Sequence, residues 1–177
     1  MKRDREPIAQ GVAVHYQPQR HLLKDRIILV TGASDGIGRE AALTYARYSA
    51  SVILLGRNDD KLRTVAQEIE REGGIPPRWF TLDLLTCTPQ ACQQLAQQIS
   101  MHYPRLDGVL HNAGLLGDIC PMEEQKPEVW QQVMQVNVNG TFMLTQALLP
   151  LLLRSESGSL VFTSSLSLIH ISEPTRP

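Results

Sequence analysis

One stretch, Leu29-Val30-Thr31-Gly32-Ala33-Ser34-Asp35-Gly36-Ile37-Gly38, limits the folds open to this chain more than any other. The apolar run Arg26-Ile27-Ile28-Leu29-Val30 leads into it and reads as a buried parallel strand. Arg39–Ala50, rich in Ala and Leu, follows and reads as a helix. The glycines therefore lie on a strand-to-helix turn. Free backbone N–H groups at the positive end of a helix dipole suit a dinucleotide pyrophosphate there. Gly32 permits the tight turn, Gly36 lets backbone approach phosphate, and Gly38 lets the helix pack close to the strand. The candidate cofactor-binding residues of this turn are Thr31, Gly32, Ser34, Asp35, Gly36, Ile37 and Gly38.

The remainder repeats the strand–helix alternation. Ser51–Leu55 is a short β-branched strand, ended by Gly56-Arg57-Asn58. An acidic residue at such a strand end would bind the ribose 2′-hydroxyl of NAD. Here Gly56 takes that place and Arg57 follows, and a guanidinium suits the 2′-phosphate of NADP. Asp59–Glu72 reads as a helix with Leu62, Val65, Ala66 and Ile69 on one face and charges opposite, stopped by Gly73-Gly74. Trp79–Leu82 is the third strand, with Asp83-Leu84 at its end. Thr88, an N-cap with Pro89 at the first helical position, opens a helix to His102. Leu106–His111 is the fourth strand and leads into Asn112-Ala113-Gly114. At that strand end His111 reads as a packed or hydrogen-bonded histidine rather than a catalytic one. Lys126–Glu156 is helical, with its register interrupted near Asn137–Gly140, and Gly158–Ser165 gives a turn, the fifth strand and a serine pair. The pattern predicts an α/β fold, a doubly wound parallel sheet in the order 3-2-1-4-5.

The glycine pattern is T-G-x-x-x-G-x-G rather than the usual G-x-G-x-x-G. Together with Asn112-Ala113-Gly114, the segment Asn137-Val138-Asn139-Gly140-Thr141-Phe142 and the pair Ser164-Ser165, it resembles the short-chain dehydrogenase/reductase family in its compact single-domain form. The resemblance implies hydride transfer between NADP(H) and a small-molecule carbonyl or alcohol substrate. It also implies roles. Asp83 would bond the adenine amino group and the Leu84 N–H a ring nitrogen. Asn112, Ala113 and Gly114 would allow close approach of the adenosine half. Asn137, and not Asn139, would mark a local helix distortion whose carbonyl holds a water of the proton relay. Ser165 would hydrogen-bond the substrate carbonyl. Asp35 stands where some NADP-preferring relatives carry a basic residue, so NAD stays open as the alternative cofactor. In such proteins the helix around Asn137 often forms a subunit interface, which implies a homo-oligomer for the full-length form. The family's Tyr-x-x-x-Lys pair does not follow Ser165 here: the last tyrosine is Tyr103 and the last lysine Lys126. The chain as written is therefore expected to lack reductase activity. A nucleotide-binding regulatory protein without redox chemistry is the alternative.

Composition narrows the partners. The 177 residues carry a net charge of −1, which favours neither nucleic acid nor an anionic membrane. The most apolar run, Ala147–Leu153, is too short to span a bilayer and contains Pro150. Cys87, Cys92 and Cys120 are odd in number and show no metal-ligand spacing, so no metal site is expected and the cytoplasm is the expected compartment. Residues 1–13 read as a disordered or non-native leader, with Val14 a candidate natural start. Residues 14–165 form the dinucleotide-binding domain. Residues 166–177 match no segment of the family and resemble translated adapter sequence, which would leave the final strands of the family missing. The rival is a real chain with an irregular tail.

Overall fold

The computed structural model describes residues 18–164. The expectations for the leader, for Ser165 and for residues 166–177 fall outside the described residues. The elements run β1 (Ile27–Thr31), α1 (Gly36–Arg47), β2 (Ser51–Gly56), α2 (Asp59–Arg71), β3 (Arg78–Thr81), α3 (Pro89–Ser100) and β4 (Gly108–His111). A single 3-10 turn, Met122–Glu124, precedes α4 (Pro127–Met134), a π-helical turn (Gln135–Gly140), α5 (Thr141–Leu152) and β5 (Ser159–Phe162). The sheet is parallel throughout, in the order β3-β2-β1-β4-β5, as the sequence predicts. Val30 of β1 is in register with Leu54 on one side and Leu110 on the other. The strand order reverses between β1 and β4, and the crevice beyond their carboxyl ends is where an open α/β sheet takes its ligand.

Neighbouring residues on the central strands serve opposite faces. Leu29, Ile53, Leu55 and Val109 pack with α3 and α5 in one core layer. Val30, Val52 and Leu54 pack with α1 and α2 in the other. Such two-sided burial is why these strands read as continuous apolar runs. β5 differs: at the edge of the sheet among the described residues, its Leu160, Val161 and Phe162 are all exposed.

The caps explain where the helices stop and start. Thr88 Oγ1 accepts the Ala91 N–H at 3.2 Å, with Pro89 opening α3. Asn58 Oδ1 accepts the Lys61 N–H at 3.0 Å to open α2. α1 starts earlier than its apolar pattern suggests, at Gly36, because Asp35 caps it by accepting the Gly36 N–H at 2.9 Å. It also stops earlier. Ser49 turns the chain in the left-handed region (φ +74°), with its N–H on the Ala46 carbonyl and the Ala50 N–H on that of Tyr45. α2 ends by the same device with Gly73 at φ +83°, the residue suited to it. Ser49 strains where glycine would not, and its hydroxyl lies 2.6 Å from His21 Nδ1.

At the amino ends of the strands one carboxylate ties distant segments together. Asp107 Oδ2 accepts the Ile27 N–H at 2.9 Å, and its Oδ1 accepts from Arg105 Nε at 2.9 Å and from the Ser155 hydroxyl at 2.6 Å. Arg26 adds an ion pair at 3.5 Å. The Asp107 side chain is only 2% exposed.

Candidate functional site

The turn after β1 is held from below. Thr31 Oγ1 accepts the N–H groups of Asn112 (3.0 Å) and Ala113 (2.9 Å), which docks the Asn112–Gly114 loop beneath the glycines. A Cβ on Gly38 would sit 2.4 Å from the Gly32 carbonyl oxygen and 2.5 Å from Asn112 Nδ2. Gly38 thus makes room for the turn and for the Asn112 amide, as well as for helix against strand. Gly32, at φ +65°, would put a Cβ 3.0 Å from the Ala113 Cα. Gly36 is the opposite case: at φ +52° nothing lies within 4 Å of the position a Cβ would take. The backbone at the start of α1 is therefore open, as close approach of a phosphate demands.

A cavity of about 880 Å³ lies beyond the carboxyl ends of the strands. Of the residues singled out from sequence, Thr31, Gly32, Ser34, Asp35, Arg57, Asp83, Leu84, Asn112, Ala113 and Gly114 line it. Gly36, Ile37 and Gly38 stand beside it in the first turn of α1, with Ile37 exposed. One wall is Asp83-Leu84. Asp83 Oδ1 accepts the Leu85 N–H at 3.0 Å, which shapes the bend after β3.

The π turn braces two walls at once. Gln135 Nε2 donates to the Leu84 carbonyl at 3.2 Å, and a Cβ on Gly140 would lie 2.8 Å from the same oxygen. Asn137 grips the opposite wall: its Oδ1 accepts the Leu115 N–H at 2.8 Å and its Nδ2 donates to the Leu115 carbonyl at 2.9 Å. Asn137 stands behind Leu115, which itself lines the cavity. The helix distortion expected at Asn137 is present, and its side chain has a definite task. The Thr163 hydroxyl, just past β5, donates to Asn112 Oδ1 at 3.2 Å. The end of β5 is thereby tied to the glycine turn.

The charges at the mouth come from β2 and α2. Arg57 is exposed and makes no ion pair or side-chain hydrogen bond among the described residues. Lys61, which the sequence pattern left on the solvated face of α2, also lines the cavity, and its Nζ lies 2.8 Å from Asp35 Oδ2. The Lys61 hydrogen bond, with the Gly36 N–H, holds the Asp35 carboxyl below the usual carboxylate range. The residue four places past an arginine at a strand end, in the first turn of the next helix, was the available signal for Lys61.

His111 is a packed histidine, as expected. It is 4% exposed and its ring stacks on Phe162 at 4.9 Å. Thr145 donates its hydroxyl proton to the Thr141 carbonyl at 2.7 Å, so the ring N–H at Nε2 donates to Thr145 Oγ1 at 2.9 Å. Nδ1 remains a buried acceptor without a partner among the described residues. Burial pushes the His111 pKa down to about 4, so the ring is neutral at neutral pH. Cys87 and Cys92 are free and buried, and burial followed by the neighbouring Cys87 pushes the Cys92 thiol up to about 12, which leaves it inert. Among the described residues no cluster of His, Cys, Asp and Glu could hold a metal ion, and no helix is long and apolar enough to cross a membrane.

Comparison with known proteins places this geometry. The family model described as short chain dehydrogenase matches residues 26–170. An uncharacterized oxidoreductase of Escherichia coli K12, YciK, is 76% identical over 86% of this chain, and the chain spans 60% of its length. A chain described as a short chain dehydrogenase of Shigella flexneri 2a, crystallised with NADP, superposes with a TM-score of 0.85 at 72% identity, covering 87% of this chain and 64% of that one. Its counterpart from Escherichia coli CFT073, crystallised with NADPH, gives 0.85 at 73% identity over 88% of this chain and 65% of that one.

Proposed function

This chain belongs to the short-chain dehydrogenase family, and on that premise we propose that its cavity binds NADP(H) and that the full-length protein transfers hydride to or from a small carbonyl or alcohol substrate. The observation that carries the choice of cofactor is Arg57. It follows Gly56 at the carboxyl end of β2, lines the same cavity as the glycine turn, and has no partner of its own among the described residues. A guanidinium there suits a 2′-phosphate, where an acidic residue would suit a 2′-hydroxyl. The NADP and NADPH bound by the two relatives support the same choice.

When bound, the nicotinamide supplies or accepts the hydride. The chain's residues bind and orient. The open backbone at Gly36 and the first turn of α1 receive the pyrophosphate. Asp83 and the Leu84 N–H meet the adenine edge. Asn112, Ala113 and Gly114 keep the floor low enough for the adenosine half to settle. Asn137 holds Leu115 in place on the opposite wall, and Ser165 would donate to the substrate carbonyl oxygen. The alkoxide that develops needs a positioned acid beyond that serine. No tyrosine follows Tyr103 and no lysine follows Lys126 in this sequence. The 177-residue chain is therefore expected to bind the cofactor without turning over.

Fluorescence titration tests the binding half. NADPH should bind about tenfold or more tightly than NADH, as one charge-assisted contact implies, and Arg57→Ala should erase most of that preference. Equal affinity for the two cofactors in the unaltered chain would overturn the choice of NADP. NADPH-dependent reduction of a carbonyl by the purified 177-residue chain would overturn the expectation of inactivity.

A further inference from the structure

Asp35 sets a problem for the cofactor just proposed. Its carboxylate lies in the phosphate-binding turn, lines the cavity, and is 77% exposed. Alone, it would repel a phosphate ester bound nearby. The structure supplies a counter-charge from another element. Lys61, in the first turn of α2, places its Nζ 2.8 Å from Asp35 Oδ2, while Asp35 Oδ1 stays on the Gly36 N–H. The backbone of Lys61 is fixed by its N–H to Asn58 Oδ1, and Asn58 is the neighbour of Arg57. The other acids at this end of α2 are engaged elsewhere. Asp60 pairs with Arg63 at 2.6 Å, and Asp59 pairs with Arg63 at 3.2 Å and accepts the Trp79 Nε1–H at 2.9 Å. Among the described residues, Arg57 and Lys61 are thus the two cations that line the cavity, and the Lys61 side chain is 57% exposed.

We propose that Lys61 is a specificity-determining residue: with Arg57 it forms a two-cation site for the 2′-phosphate, and Asp35 holds its ammonium group at the mouth of that site. The proposal rests on the NADP reading above and adds a residue to it. An ammonium has three donors, so Lys61 can keep one on Asp35 and turn another to a phosphate oxygen. Arg57 supplies the planar fork and Lys61 the point charge. The same ion pair cancels the repulsion that Asp35 would exert. Because the site is open to solvent, its contribution weakens with added salt.

The test uses the full chain and two fragments of the cofactor, 2′,5′-ADP and 5′-AMP, titrated calorimetrically at low salt. Lys61→Gln should weaken 2′,5′-ADP about tenfold, as loss of one charged contact implies, and leave 5′-AMP within about twofold. Lys61→Arg should retain the discrimination. Asp35→Asn should raise it, by releasing Lys61 to the phosphate. In the Asp35→Asn, Lys61→Gln double variant the discrimination should stay low. Its recovery to the level of the unaltered chain would mean that Lys61 only cancels Asp35, and would overturn the direct contact. Discrimination that survives Lys61→Gln but not Arg57→Ala would overturn the role of Lys61 and leave the NADP reading standing. An unaltered chain that does not discriminate would overturn both.

Discussion

The two ends of the sheet follow opposite rules. At the amino ends of β1 and β4, Asp107 is almost fully buried and its oxygens are engaged by Ile27, Arg105, Ser155 and Arg26. At the carboxyl ends some polar groups are engaged, but the rim of the cavity stays open. A Cβ at Gly36 would meet nothing within 4 Å, and Arg57 has no partner among the described residues. Satisfied buried polar groups fix a unique arrangement of strands, whereas open ones are left for a ligand to complete. The difference separates what holds this fold from what the fold holds.

The largest effect is expected at Gly38. Gly38→Ala forces a methyl into the Gly32 carbonyl and the Asn112 amide, and should destabilise the chain by about 1–3 kcal/mol while abolishing NADPH binding. Gly36→Ala, with open space around it, should be better tolerated, with about 1–2 kcal/mol of backbone strain, and still lose binding. Urea denaturation and NADPH titration of the pair check this; a Gly38→Ala chain as stable as the parent would refute the steric account.

Asp107→Asn tests the other end. Burial alone would raise the Asp107 pKa, but hydrogen bonds from Ser155, Arg105 and the Ile27 N–H outweigh it and hold the carboxyl below its usual value. The charged form is thus the one the fold favours, so its stabilisation is complete above the ordinary aspartate pKa and lost as pH falls below it. The substitution should remove about 2 kcal/mol of stability at neutral pH, part of the Coulomb share being screened at the exposed arginines. NADPH affinity of the folded chain should stay within about twofold. A loss of affinity that tracks the loss of stability would show that the two ends are not independent.

His111, buried at the end of β4, gives a smaller, pH-dependent effect. Its folded pKa of about 4 lies below the 6.5 of a free histidine, so the unfolded chain binds the proton first. The stability it contributes is present above pH 6.5 and drains away as pH falls toward 4. The full shift corresponds to roughly 3 kcal/mol, of which about 1 kcal/mol is gone by a pH of about 5.5. Denaturation midpoints across that range should fall in the parent and fall less in His111→Asn. Parallel curves for the two chains would assign the acid sensitivity elsewhere.

What the sequence disclosed follows from the range of the forces involved. The strands and the glycine turn were legible because each is written in a short run, an apolar stretch or a glycine spacing; the strand order followed from the rules for doubly wound sheets, and the distortion at Asn137 from the break in helical register and the family resemblance. Asp107 was passed over because the backbone N–H it binds lies 80 residues away and its hydroxyl partner Ser155 lies 48 residues away. Lys61 was passed over for the same reason: its carboxylate partner is 26 residues back, and its place four residues past Arg57 is the one local sign that sets it apart from other charges on a solvated helix face. The left-handed turn at Ser49 and its contact with His21 were hidden for the same reason, since the two residues lie 28 apart.

The π turn at Gln135–Gly140 also sets angular phase. Each residue of an α-helix advances the chain by about 100°, and the extra residue held in the bulge shifts everything after it by that amount. Remove any one residue from this turn, let the stretch close as ordinary helix, and α5 rotates as a block. Leu144, Leu148 and Leu151, now buried, would swing from the core while Phe142 and Leu149 changed places with them. Within the bulge the helix addresses Leu84 and Leu115; downstream it addresses the sheet. One inserted residue lets a single rod point in two directions, so its length here is a matter of kind as well as of measure.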